Sequence, residues 1–383
     1  MIKEYRCSAL YNGETFEEQL QECREEIDQI LNNKNYNILK VCFFVNSENP
    51  NMFLKCTKLV QNIMNETARV LVPYEIIAQP PIENKVSMEI CYLDVSRYDS
   101  LCITYKKFEE IRYCILANED EKEVICPGIT FYTKGVNLSS QLKQCYETME
   151  QILLNENMDF SNVIRQWNYL EGILDIIKID NKSIQRYQML NEIREEFYSK
   201  CKFVNGYPSA TGIGMNYGGF VLGFIASSLN TGVYPITNVE QIDAHRYSEH
   251  VLAGEQIKEL STKATPKFER AKLVLSDKSS ELYISGTASI KGEETIGVDD
   301  VLEQTKIIFS NIRMLVEQQY KDSNSGKEMK YKAIRIYIKE RDLVIKVKKL
   351  VQEEFLLKNA LIFLIADICR DNLLIEIEGI CQP

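Results

Sequence analysis

One arrangement of elements recurs three times along the chain, and it limits the available folds more than any other feature. An amphipathic helix opens on Gln-rich text at Gln19 (QLQECREEIDQIL), at Gln141 (QLKQCYETMEQIL) and at Gln304 (QTKIIFSNIRMLV). Apolar residues fall at helical spacing in each. A strand with an aromatic near its middle follows every time: ILKVCFFV (38–45), VIRQWNYL (163–170) and AIRIYIK (333–339). Second helices are expected around MFLKCTKLVQNIM, IQRYQMLNEIREEFY and DLVIKVKKLVQEEF. Two further strands close each unit: VPYEIIA and VSMEICYL, then YPSATGIGM and GFVLGFIAS, then ALIFLIADIC and NLLIEIEGI.

Strand, helix, strand, helix, strand, strand is the order of a sheet carrying both helices on one face, an α+β layer. A single such sheet leaves its other face apolar and bare. Three copies packed face to face bury those faces, which predicts a pseudo-threefold arrangement. Breaks near Asp99–Glu109 and Ala253–Ala264 divide the chain into units at 1–105, 106–258 and 259–383. The polar stretch KDSNSGKEMK (321–330) reads as an exposed loop of the third unit.

Composition narrows the class further. Among 383 residues, 45 Lys and Arg stand against 55 Asp and Glu, a formal charge of -10. That balance opposes general binding to nucleic acid or to anionic membranes, both of which need a basic surface. No apolar run reaches spanning length, and the first residues lack a secretory pattern, so a cytoplasmic protein is expected. The twelve cysteines are scattered singly with no CxxC pair, and only His245 and His250 could join them as metal ligands. Reduced core thiols and no metal site are expected. TGIGMNYGG (211–219) lacks the third glycine of a dinucleotide fingerprint, and a strand-to-strand turn with positive φ accounts for its glycines.

Several segments exceed what a plain core requires. Period-two alternation puts Arg165, Trp167 and Tyr169 on one face of their strand, with Ile164, Gln166 and Asn168 on the other. PSATGIG and SGTAS (285–289) combine small residues with hydroxyls, which lets a ligand approach the backbone. ADICRDNLLIEIEG (366–379) places Cys369 and Arg370 at a turn before alternating Ile and Glu. Taken alone, Glu376 and Glu378 also suit a solvated edge strand.

These segments, with IIAQPP (76–81), VIRQWNYLEGI (163–173), RYQMLNEIREEFY (186–198), YPSATGIG (207–214), ATPKFERA (264–271) and LYISGTASIKGEE (282–294), resemble the chorismatase family. Its members fuse Rid/YjgF-like subunit folds in one chain. The resemblance runs over nearly the whole chain, most densely from Ile125 onwards. It implies chorismate as substrate, pyruvate as one product, no cofactor, and a site between the second and third units, with the first unit a degenerate scaffold. A monomer follows if one chain completes the threefold core.

Chorismate carries two carboxylates, for which planar Arg forks are suited. The resemblance implies Arg165, Arg194 and Arg246, with Lys339, as candidate cations, and Tyr169, Thr211, Gly212, Tyr247, Gly286, Thr287 and Ala288 as further binding residues. Glu376 matches the family's acidic strand position and is the expected general acid, its pKa raised by Leu374, Ile375 and Ile377 or by a neighbouring unit. Cys369 is the second expected catalytic residue. With Gly286 and Ala288 it leans the chain towards 3-hydroxybenzoate over a dihydroxycyclohexadiene carboxylate.

The chain departs from the family pattern in the segment 238–250, where an arginine is expected at Glu240 and prolines after Tyr247, and at Lys339, where an arginine is expected; the two missing arginines put carboxylate binding in doubt. Two other readings keep the fold. One is a Rid-like imine or enamine hydrolase, and the other a non-catalytic binder of small acids.

Overall fold

The structure is a computed structural model. It describes the chain except at residue 9 and residues 67–70, 133–134, 180, 258–261, 277–278, 324–327 and 358–359. Parts of the expected break at 253–264 and of the expected loop at 321–330 therefore lie outside the described residues.

The first sheet contains β1 (Glu4–Cys7), β2 (Tyr36–Val45), β3 (Tyr74–Ile77) and β4 (Val86–Asp94) in the order β1-β4-β2-β3, with helices α1 (Phe16–Leu31) and α2 (Pro50–Glu66). The second unit begins with β5 (Cys102–Phe108), β6 (Ile111–Ala117) and β7 (Lys122–Ile129). It continues with α3 (Leu138–Asn155), β8 (Val163–Glu171), a β9 (Ile176–Ile179) and β10 (Lys182–Gln185) hairpin, α4 (Arg186–Tyr198), β11 (Ser209–Met215) and β12 (Phe220–Ser227). Its sheet order is β11-β8-β12-β7-β6-β5. The third holds β13 (Val233–Ile236), β14 (Ala271–Ser276), β15 (Ser279–Ala288), a small β16 (Ile290–Lys291) and β17 (Glu294–Thr295) pair, α5 (Val301–Ser323), β18 (Lys330–Ile338), α6 (Val344–Phe355), β19 (Leu361–Ile365) and β20 (Ile375–Gln382). Its order is β13-β14-β15-β20-β18-β19.

Every element of the sequence repeat is present. In each sheet a helix carries the chain from a central strand to a parallel edge strand, β2 to β3, β8 to β11 and β18 to β19. The following strand returns antiparallel along the central one, as β4, β12 and β20. The hydrogen bonding sets two boundaries differently from the composition breaks: β5 pairs within the second sheet from Cys102, and β13 pairs within the third. Local signals fix the helix starts. Thr15 and Glu18 form a reciprocal capping box at α1, Asn137 caps α3, and Asp300 accepts from two backbone amides at the start of α5. The α5 helix runs on through Ser323, into the stretch expected as loop.

Each sheet packs its own two helices on one face in a separate apolar core. The opposite faces of all three meet in one central core, where Phe44 of β2, Trp167 of β8 and Tyr337 of β18 come together. Arg165, Trp167 and Tyr169 face this centre, whereas Gln166 and Asn168 turn to the helices and bond the hydroxyls of Tyr198 and Tyr146. A bulge at Ile164, which is skipped in the pairing of β8 with β12, breaks the alternation and returns that side chain to the centre. Gly218 and Gly219 take the expected positive φ in the β11–β12 turn. Gly212 and Gly214 instead lie inside β11; a Cβ on Gly212 would press to 3.0 Å from the Tyr187 ring, and one on Gly214 would meet the Asp367 backbone. Among the described residues no helix is long and apolar enough to cross a membrane, and all twelve cysteines are unpaired.

The central core is not purely apolar. Lys3 is 1% exposed, and its ammonium sits 2.9 Å from Glu123 of β7 and 2.7 Å from Glu281 of β15, and donates to the Tyr283 hydroxyl. The two carboxylates hold the lysine's pKa above its ordinary value against the opposing effect of burial. One side chain thus ties the N-terminal strand region to the other two sheets. Removing one member of a buried ion pair typically costs ~3–5 kcal/mol, because the partner charge is stranded. Lys3→Met is expected to lose stability of that order in urea unfolding, whereas Lys55→Met, which disrupts the exposed Lys55–Glu17 pair, should leave the urea midpoint nearly unchanged.

Candidate active site

Between the second and third sheets, where β11 runs beside β15, lies a cavity of about 600 Å³. Its floor is formed by Gly212 of β11, Gly286 and Ala288 of β15, and Glu376 of β20. Tyr187 and Gln188 of α4 form one wall, and Tyr247, Arg270, Cys369 and Arg370 another. The floor depends on an irregularity: the β15–β20 register shifts between Ile284 and Thr287, so Gly286 faces the cavity opposite the Glu376 carboxyl. A Cβ at Gly286 would overlap Glu376 Oε1 and approach Thr211 Cγ2 to 3.2 Å. Glycine there makes room for the carboxyl group.

Glu376 and Glu378 share a strand face but not an environment. Arg165 Nη2 donates to Glu378 Oε2 over 2.6 Å, Trp167 Nε1 donates to Oε1 over 3.0 Å, and Arg335 Nη1 lies 3.3 Å from Oε1. The Thr211 hydroxyl donates to Glu378 while accepting from Arg165 Nη2 and from the Gly286 amide, so every hydrogen-bonding site of that hydroxyl is used. Glu376, 3% exposed, has no arginine partner among the described residues. Burial first, and then the neighbouring Glu378 charge, push its pKa up to about 8, with Arg165 pulling weakly the other way. At neutral pH this carboxyl therefore holds a proton at the cavity floor. The aliphatic neighbours expected to raise it do not supply the burial: Ile375 and Ile377 point to the helix face of the sheet, and Leu374 packs there too. Gly286, Ala288 and the β11 wall enclose it instead.

The cavity's cations differ from those expected. Arg165 is sealed behind the floor by Glu378 and stacks on Trp167 at 4.6 Å. Tyr169 lies in the central core, where its hydroxyl accepts from Arg335. Arg194 is buried in α4 and donates to Asn191, outside the cavity lining. Arg246 projects to solvent beside Asp243, since its short helical turn points it outward. Lys339 pairs at 2.7 Å with Asp371 at the rim, and Thr287, on the reverse face of β15, bonds the Ser285 carbonyl. Glu240 pairs with Lys291 and does not line the cavity, so neither departure from the family pattern brings its charge into it.

The arginines that line it are Arg270 and Arg370, whose guanidiniums both lie against the Tyr247 ring, 5.5 and 5.2 Å from its centre. Arg270 donates to the Ile242 carbonyl and the Tyr247 hydroxyl, and its buried Nε has no partner among the described residues. Arg370 is anchored on the Glu293 carbonyl. Both stood in motifs quoted from the sequence, ATPKFERA and ADICRDN, without being singled out as carboxylate binders. Cys369 does line the cavity, but burial and the adjacent Glu376 push its thiol pKa up to about 12, which leaves a neutral wall residue and not a thiolate. Among the described residues no group of three or more His, Cys, Asp or Glu side chains is placed to hold a metal ion.

Residues 101–226 match the family described as chorismatase FkbO/Hyg5-like, N-terminal. A 3-hydroxybenzoate synthase of Streptomyces hygroscopicus is 27% identical over 62% of this chain and 68% of its own length. A chorismatase of Streptomyces rapamycinicus is 26% identical over 58% of this chain and 65% of its own length. In three dimensions a chorismatase crystal structure superposes over 99% of this chain and 98% of its own, with a TM-score of 0.70 at 17% identity. Because the fit of Glu376 in the floor leaves no space for a methyl group, Gly286→Ala is expected to cost about 1–3 kcal/mol by overpacking. Urea unfolding would measure that cost, and a crystal structure of the variant should show the carboxyl displaced.

Proposed function

We propose that this chain, a relative of the chorismatases in sequence and in fold, cleaves the enolpyruvyl ether of chorismate and releases pyruvate together with 3-hydroxybenzoate. The observation that carries this reading is the buried carboxyl of Glu376, its pKa raised by burial, in the floor of a cavity walled by two arginines. An enol ether breaks when a proton is added to its terminal methylene carbon. Carbon accepts protons slowly, so the reaction needs an acid that is both strong enough to donate and still protonated near neutral pH. A carboxyl with a pKa near 8 meets both demands.

In the proposed sequence, Arg270 and Arg370 bind the two substrate carboxylates, and Tyr247 fixes the spacing between them. Glu376 donates its proton to the methylene, which becomes the methyl group of pyruvate, and the positive charge develops on the ether carbon and oxygen. The Glu376 carboxylate left behind lies close to that charge and stabilises it. Capture of the centre by a nucleophile then frees pyruvate. Capture by water would leave a dihydroxycyclohexadiene carboxylate and consume one water. In the aromatising route the ring's own hydroxyl is instead the nucleophile: it displaces the ether at the neighbouring ring carbon, and the ether oxygen leaves as the carbonyl of pyruvate. The bridging oxygen then re-opens with loss of that carbon's proton, which forms 3-hydroxybenzoate, consumes no water and restores the Glu376 proton. The small Gly286 and Ala288 and the neutral Cys369 on the wall, together with the name of the relative at 27% identity, support the aromatic product. Imine hydrolysis or plain acid binding would need only one of these features, and no observation favours either.

Incubating the protein with chorismate and separating products by liquid chromatography and mass spectrometry should yield pyruvate and 3-hydroxybenzoate. Glu376→Gln should fold normally and lose about 10²–10⁴-fold in kcat, the range typical of a lost general acid. For the wild type, kcat/KM should hold steady below neutrality and fall as pH rises through about 8, since only the protonated form donates. Turnover unchanged in Glu376→Gln would overturn the assignment.

A further inference from the structure

We propose that the cleft between the first and second sheets is a second small-molecule site, which takes a small aromatic acid carrying a hydroxyl or amino group. It does not depend on the reaction proposed for the first cavity. The cleft encloses about 480 Å³ where β3 runs beside β7, as the first cavity lies where β11 runs beside β15.

Strand register shows the common plan. Tyr337 of β18 pairs with Glu376, and its counterpart Trp167 of β8 pairs with Gly223. Gly223 therefore holds, in the second sheet, the place that Glu376 holds in the third. The adjoining register shifts correspond as well, between Leu222 and Phe224 in one sheet and between Ile284 and Thr287 in the other. The side chain missing from Gly223 is replaced from the opposite wall. Glu75 of β3 reaches across: a Cβ on Gly128 of β7 would lie 2.7 Å from its Cβ, while one on Gly223 would collide with the Pro127 carbonyl and come within ordinary contact, 3.5 Å, of Glu75 Oε2. Gly128 thus makes space for the Glu75 side chain, and Gly223 leaves its carboxyl in relaxed contact.

Glu75 is 4% exposed, bonds the Cys42 side chain, and lines the cleft. Its Oε2 has no hydrogen-bond partner among the described residues. Buried acceptors in native proteins are satisfied with few exceptions, and a ligand hydroxyl or amine would satisfy this one. Burial holds the group's pKa up to about 7, so it is available as an acceptor at neutral pH and above. Phe53, Phe131 and Tyr132 supply flat apolar walls, which suit an aromatic ring. Arg112, anchored on the Met64 carbonyl and the Asn65 side chain, lines the same cleft and offers a carboxylate partner.

The probe is 3-hydroxybenzoate, with benzoate as the control lacking the donor. Methyl-labelled protein separates the two cavities in one NMR titration, because Ile111 and Val221 line the second and Leu252 and Ile290 the first. Saturable shifts of Ile111 and Val221 are expected, with about tenfold weaker binding for benzoate and for Glu75→Gln. Leu54→Trp, which changes a partly exposed residue at the cleft, should abolish these shifts without disturbing the core. Shifts confined to Leu252 and Ile290, or equal affinity for benzoate and in Glu75→Gln, would overturn the second site and leave the first untouched.

Discussion

The structure turns on where Glu378 spends its charge. Its carboxylate takes Arg165 from the second sheet and approaches Arg335 from the third, while Arg335 holds Glu89 of the first sheet in a two-pronged pair at 2.6 and 2.9 Å. Lys40 adds a further cation 3.7 Å from Glu89 and 4.1 Å from the Trp167 ring. These groups are all at least nine-tenths buried, and charges in such surroundings are tolerated only as a mutually satisfied set. The sheets are therefore held in one register by the network, as well as by the apolar area they share. Its second consequence is local: with Arg165 committed to Glu378 and Arg335 shared between Glu89 and Glu378, the neighbouring Glu376 has burial and a like charge to contend with and no ion pair of its own among the described residues.

Sheet edges set where ligands can enter. First meets second at β3 and β7, second meets third at β11 and β15, and third meets first at β18 and β1. The first two junctions open cavities of about 480 and 600 Å³, and a pocket of about 80 Å³ is lined by first-sheet and third-sheet segments. A bulge beside a glycine accompanies each of the two open cavities. Bulges re-aim side chains at the cost of ladder hydrogen bonds, and here one aims Gly286 at Glu376 while the other leaves room for Glu75.

Much of this was legible in the sequence. Helical spacing, the mid-strand aromatics and the order of elements predicted all three helix pairs and the strands around them, because each amphipathic period reports a buried face directly. The lead-in strands β5 to β7 and β13 to β15 were not separated, since their apolar text carries no recurring marker. Glu376 was named from its motif and lies in the cavity floor. The arginines were not, because a guanidinium's role depends on what it faces across the fold: Arg165 meets Glu378, and Arg246 meets solvent. Arg270 and Arg370 lie on loops whose course nothing in a local period fixes. Glu75 gave no signal at all, as the room for its side chain arises at Gly128, distant in the chain.

The central claim is that Glu376 keeps its proton at neutral pH, and the most direct measurement is the carboxyl carbon-13 signal of that residue, assigned by its absence in Glu376→Gln and followed from about pH 4 to pH 10. An inflection near 8 is the expected result. An inflection near the ordinary glutamate value of about 4.3 would mean that the carboxyl is charged at neutral pH, and the account of the site as a proton donor would fail.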